Sequence, residues 1–154
     1  MNKIGLQEKD SKALVDALND LLANYQIFYM NVRGFHWNIK GEKFFELHVK
    51  FEELYNDLLL KVDEIAERVL TLGGTPTHSY TDYLKYAEIK EVKHATDAES
   101  TVKSVLDSFE ILIKKQRSIL KLSGEADDEG TNSTMSDYIR EQEKLVWMYG
   151  AFLG

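Results

Sequence analysis

Residues 35–54 read FHWNIKGEKFFELHVKFEEL. Gly41 divides the stretch and marks a tight turn, because glycine enters left-handed backbone conformations at little cost. Two of the chain's four histidines, His36 and His48, stand about equally far from that turn on either side. Trp37 follows the first, and Glu52 and Glu53 follow the second. If the segments on both sides are helices that fold back at Gly41, antiparallel packing brings the two imidazoles level.

The flanking sequence supports two such helices. Over residues 11–36, apolar side chains fall at Leu14, Leu18, Leu21, Leu22, Tyr25, Phe28, Tyr29 and Val32, which is helical periodicity. A second helix is predicted over residues 43–72, with Phe44, Leu47, Phe51, Leu54, Tyr55, Leu58, Val62, Ile65, Ala66 and Val69 inward, and Gly73-Gly74 and Pro76 as its stop. Residues 73–96 form a long connection in which SYTDYLKYAEI (79–89) predicts a short helix. Thr96 with Glu99 reads as a capping box opening a third helix to about residue 123, closed by Gly124. The acidic loop GEADDEG (124–130) leads to a fourth, over residues 132–152. No strand pattern, internal repeat or low-complexity segment competes. The fold class is all-α: a four-helix bundle whose long crossover joins helices 2 and 3 and carries a short helix. One such crossover is the connectivity of ferritin-like folds.

Composition bounds the function. A length of 154 residues suits one domain spanning 1–154, and 44% hydrophobic residues suffice for a core. No run of eighteen apolar residues is present and the amino-terminal stretch has no apolar signal core, so a cytoplasmic location is expected. The absence of cysteine excludes disulfides, thiolate metal sites and cysteine nucleophiles, and leaves metal binding to His, Asp and Glu. The net charge of -7 argues against a surface that coats DNA and favours cation handling.

The second helix carries the candidate chemistry. His48 and Glu52 are four residues apart, as are Asp63 and Glu67. At about 100° per residue, all four fall within an arc of roughly 100°. Either pair alone reads as a solvated face. Like charges at this spacing, as in Asp63 and Glu67, slightly destabilise a helix, which points to a cation between them. Glu52 and Asp63 lie roughly 16 Å apart along the axis, whereas metal–ligand bonds are about 2 Å. One chain therefore cannot close a single site with both pairs. Two such helices packed antiparallel about a two-fold axis near Asp57–Leu58 would set His48 and Glu52 of one copy against the other copy's Asp63 and Glu67.

With FHWNIKG, LHVKFEELY and VDEIAERVLTLGGTP in place, together with VWM in the fourth helix, the chain resembles the Dps family, the DNA-binding proteins from starved cells, also called mini-ferritins. The resemblance covers almost the whole chain. It implies a dodecameric shell of four-helix subunits around a cavity, in which Fe(II) is oxidised, typically by hydrogen peroxide, at ferroxidase centres on two-fold interfaces. His36, His48, Asp63 and Glu67 match the family's ligand positions, and Glu52 stands where the family usually has Asp, one methylene shorter. The donor set fits this chemistry, since imidazole suits Fe(II) and carboxylates suit Fe(III). Trp37 is implied to intercept stray oxidising equivalents, beside its plainer reading as a bulky core residue.

Asp127, Asp128, Glu129 and Asp137 are placed like the family's three-fold pore carboxylates, or else form a solvated loop and helix start. Glu53 and Asp57 are weaker candidates for lining the cavity and nucleating mineral, and His78 and His94, without partners at ligand spacing, are expected to be structural or surface residues. DNA compaction is the competing function, and in this family it often depends on a flexible basic tail. Here residues 1–12 set Lys3, Lys9 and Lys12 against Glu8 and Asp10, and the carboxyl-terminal WMYGAFLG has no charged side chain, so DNA binding is expected to be weak or absent.

Overall fold

A computed structural model describes all residues, 1–154. It contains α1 (Glu8–Asn38), α2 (Phe44–Thr71), α3 (Tyr80–Tyr86), α4 (Ala98–Glu125) and α5 (Glu129–Leu153), with no strand. The hairpins α1–α2 and α4–α5 make the largest packing surfaces, and α1 also packs on α4 and α3. The expected bundle with one long crossover is therefore what forms.

The apolar stripes read from the sequence meet in one core. Leu14, Leu18, Leu21, Phe28 and Val32 of α1 pack with Phe51, Leu58, Ile65 and Val69 of α2 and with Val102, Val105, Phe109 and Leu112 of α4. Phe28 meets Phe109 edge-on with ring centroids 5.2 Å apart. Gly41 turns the first hairpin at φ +106°. At the far end of α2, Gly74 lies so close to α1 that a Cβ there would come within 2.5 Å of the Val15 side chain.

The crossover is fastened by buried asparagines that hydrophobic periodicity does not register. Asn24 accepts the backbone N–H groups of Glu88 and Ile89. Asn31 accepts the N–H of Val92 and donates to the carbonyl of Lys90. Burying these amides costs little because each is hydrogen-bonded.

Helix α1 begins at Glu8 rather than at residue 11, α3 ends at Tyr86 rather than at residue 89, and three limits of α4 and α5 differ through local hydrogen bonding. Asp97, rather than Thr96, caps α4, its carboxylate accepting from the Ser100 N–H. An aspartate is the stronger cap and sits one frame along from the Thr–Glu box. Gly124 does not end α4, which runs on to Glu125, and the chain turns where Asp127 adopts φ +55°. The last helix starts at Glu129 rather than near residue 132, because the Asp128 carboxylate accepts the Thr131 N–H and caps it. No helix is long and apolar enough to cross a membrane.

Candidate metal centre

Where α1 ends and α2 begins, the two histidines lie ring on ring. The His36 and His48 centroids are 3.8 Å apart at an interplanar angle of 11°. His36 Nδ1 donates to the His48 carbonyl at 2.6 Å, and His48 Nδ1 donates to the His36 carbonyl at 2.8 Å. A carbonyl only accepts, so both Nδ1 atoms carry the proton and a neutral ring keeps its lone pair on Nε2. Fixing the tautomer and orientation through the second nitrogen is how proteins prepare histidines for metal. The His36 carbonyl belongs to the last turn of α1, which has no acceptor role left within the helix, so the bond also closes a helix end. Levelling the imidazoles across the Gly41 turn is thus realised.

The carboxylates of α2 lie on its open face. Glu52, Asp63 and Glu67 are exposed, His48 is half-buried and His36 is buried. On the same arc of the helix stand Phe45, Leu60 and Leu70, exposed by 78%, 70% and 58%, with Val49 and Leu59 also exposed. So many large apolar side chains left on one stripe of a chain with a well-formed core mark an interaction surface. Within the chain, no three His, Asp or Glu side chains converge on a point where they could hold a metal ion. His36 and His48 come together, and the carboxylates stay spread along the helix.

Trp37 is not a core residue. It is 58% exposed, and the Arg33 guanidinium carbon lies 5.3 Å from its ring centroid. The same guanidinium stands 4.8 Å from the Tyr55 centroid and donates to the Tyr29 hydroxyl at 2.6 Å. Tyr55 in turn meets His36 edge-on at 5.3 Å. In the sequence Tyr55 reads as a core residue and Arg33 stands outside the candidate site. Their spacing of one and two helical turns from the histidines was the available signal.

The acidic loop separates into different roles. Asp127 and Glu129 are exposed, and Asp137 is exposed and pairs with Arg140 at 3.0 Å. Asp128 is buried, capping α5 and accepting from Arg68 Nη2 at 2.6 Å, so its carboxylate serves the chain's own fold and cannot line an open pore. Arg68 Nε also donates to Thr131 Oγ1 at 2.9 Å. Glu53 and Asp57 are engaged by Lys50 and Lys61 at 3.0 and 2.8 Å. His78 is exposed and donates to the Pro76 carbonyl, and His94 is exposed with φ +64°.

Burial dominates the titration of the interior phenols. It pushes Tyr25 far above its ordinary value against the hydrogen bond from Gln142, and it raises Tyr138 with the help of the Glu64 charge. These phenols stay protonated across the physiological range.

Residues 15–154 match the model of the ferritin-like domain. A Porphyromonas gingivalis DNA protection during starvation protein is 47% identical over 148 residues, 96% of this chain and 93% of that protein. An uncharacterised Haemophilus influenzae protein is 55% identical over 148 residues, 96% of this chain and 92% of its own. Among solved structures, a Dps protein from Vibrio cholerae O1, described as a member of a broad superfamily of ferritin-like diiron-carboxylate proteins, is 59% identical with a TM-score of 0.98. The match covers 100% of this chain and 97% of that one.

Proposed function

The chain belongs to the ferritin-like family and, within it, to the Dps proteins, and from that membership we propose that it oxidises Fe(II) and stores the ferric product. The sites are shared between two copies of the chain, within a shell of twelve, in the cytoplasm. His36, His48 and Glu52 of one copy bind iron with Asp63 and Glu67 of the other.

The observation that carries this reading is the open stripe of α2. With α2 helices antiparallel about a dyad at Asp57–Leu58, Glu52 meets the partner subunit's Asp63, and His48 meets the partner subunit's Glu67. The same register brings Phe45 against the partner subunit's Leu70 and Val49 against the partner subunit's Ala66. Ligands and apolar residues are then satisfied by one symmetry operation. The isologous arrangement yields two equal sites.

Each part of the site has a task. The two Nε2 lone pairs, held by the reciprocal Nδ1 hydrogen bonds, take up Fe(II) without a reorganisation cost. The three carboxylates add hard oxygen donors that stabilise the ferric product. Hydrogen peroxide is the oxidant: two Fe(II) each lose one electron, and peroxide accepts both with two protons and leaves as two waters. No hydroxyl radical is released when both electrons arrive together. Trp37, exposed beside the imidazoles, intercepts an equivalent that escapes. Asp127, Glu129 and Asp137 draw Fe(II) towards the shell by their field.

Anaerobic Fe(II) titration followed by peroxide tests the reading. Ferric absorbance should rise with one peroxide consumed per two Fe(II), and the native mass should be that of twelve chains. No ferric rise would leave a helical bundle without iron chemistry.

A second reading, DNA compaction, draws on what the Porphyromonas gingivalis relative is called. Against it stand the charge of -7 and the amino-terminal residues, where Asn2 accepts from Ile4 and Leu6 and donates to Ser11, holding the segment against α1. A gel-shift assay at moderate salt should give no complex. A stable one would reverse the ranking of the two readings.

A further inference from the structure

The bundle interior contains one polar layer that the proposed iron chemistry does not use. Tyr25 of α1, Gln116 of α4 and Gln142 of α5 close a ring of hydrogen bonds. The Tyr25 hydroxyl donates to Gln116 Oε1, Gln116 Nε2 donates to Gln142 Oε1 at 2.7 Å, and Gln142 Nε2 donates back to the Tyr25 oxygen at 2.6 Å. All three side chains are buried. The contribution of α2 is Lys61, also buried, whose ammonium lies 2.8 Å from Asp57 Oδ1 and 2.8 Å from Glu141 Oε2. The same ammonium stands 5.0 Å from the Tyr138 ring, which is 6.2 Å from that of Tyr25. Each of the four long helices thus sends a polar group into one layer.

In ferritin-like diiron-carboxylate bundles, an inward layer fed by all four helices is where carboxylates and histidines hold metal. Here three of the four helices, α1, α4 and α5, present neutral groups that satisfy one another. What remains is a carboxylate from α2 and one from α5, with a single cation between them. That cation is the chain's own.

We propose that Lys61 is a tethered cation occupying the place a divalent metal would take between Asp57 and Glu141, and that it closes this half-exposed edge of the polar layer, between α2 and α5, to metal. Two features of the pair support this. The ammonium bridges the two carboxylates at hydrogen-bond distance, as a metal ion bridging them would. A dissolved ion must displace a partner that is covalently present at all times, and the displaced ammonium would be left buried and unpaired. Iron is then directed to the imidazole stripe because the competing carboxylate pair between α2 and α5 is taken. Lys61 is in this sense a specificity-determining residue.

The inference goes beyond the shared-site reading and is tested without it. In a His36→Gly, His48→Gly background, which lacks the imidazoles, Mn(II) binding to the assembled particle is measured by equilibrium dialysis and by loss of the free-ion electron paramagnetic resonance signal. Adding Lys61→Met should create one further Mn(II) site per chain, at least tenfold tighter than the background. Adding Asp57→Asn to that variant should abolish the gain. Lys61→Arg, which keeps a cation, should bind no more than the background. Equal Mn(II) uptake by the Lys61→Met and background particles would overturn the proposal, as would a gain that survives Asp57→Asn. If Lys61→Met fails to fold in metal-free buffer, millimolar Mn(II) should restore folding. A chain that stays unfolded with Mn(II) present overturns the proposal as well, since the metal should substitute for the ammonium.

Discussion

Gly130→Ala is the substitution whose sign the structure decides. Gly130 lies in the first turn of α5, and a Cβ built there comes within 2.7–2.9 Å of the Arg68 guanidinium. An arginine usually yields to such a methyl at little cost, but this one is held twice. Its Nη2 bonds Asp128 Oδ1 at 2.6 Å and its Nε bonds Thr131 Oγ1 at 2.9 Å. Asp128 is buried, and its Oδ2 already has no hydrogen-bond partner. Displacing Arg68 therefore strands a carboxylate. Losing a fully buried pair costs about 3–5 kcal/mol. The Arg68 side chain is 23% exposed, so water recovers part of that and a loss of roughly 2–3 kcal/mol is expected. Replacing glycine in a helix returns at most about 1 kcal/mol. The net is a destabilisation of roughly 1–2 kcal/mol, about 2–8 °C in melting temperature for a chain of this size. Urea midpoints at one fixed protein concentration would measure it. In an Arg68→Ala background the obstacle is gone, and Gly130→Ala should be neutral or stabilising by up to about 1 kcal/mol. A stabilised single mutant, or the same loss in both backgrounds, would refute the latch.

Three further outcomes follow from the geometry. Changing His36 and His48 to Gly should abolish fast Fe(II) oxidation while leaving the particle's native mass unchanged. Because the imidazoles also tie α1 to α2, it should lower the unfolding free energy measured by urea titration by the worth of two hydrogen bonds, about 1–3 kcal/mol. Tyr25→Phe strands the buried amides of Gln116 and Gln142 and should cost about 1–3 kcal/mol by the same measurement. Lys61 is held above the ordinary lysine value, so its stabilisation is complete below about pH 10 and disappears as pH rises through the folded value. The difference in urea midpoint between the native chain and Lys61→Met should accordingly stay constant from neutral pH to about pH 10 and narrow above it.

What could be read from the sequence was what periodicity and spacing encode. The helices, the turn at Gly41 and the level imidazoles depend on residues close in the chain. The role of Asp128 depended on Arg68, which is 60 residues away, and a carboxylate in an acidic loop looks solvated until its partner is known. Asn24, Asn31, Gln116 and Gln142 are polar residues at core positions, and a pattern of apolar residues passes over them because their partners are amides and backbone from other elements. Of the two readings of Trp37, the bulky core residue fails, because its place on the outer side of the last turn of α1 leaves it exposed.

The central claim, a metal site divided between two chains, is tested most directly by complementation. One variant carries His48→Ala and Glu52→Ala, and the other carries Asp63→Ala and Glu67→Ala. Each as a pure assembly should be nearly inactive in Fe(II) oxidation. Refolded together in equal amounts, half of the two-fold pairs are mixed, and each mixed pair has one site with every damaged position and one with all native ligands. About a quarter of wild-type activity should return if pairing is random and sites act independently. If mass analysis confirms mixing and activity stays at the level of the separate variants, the site is not shared and the account is wrong.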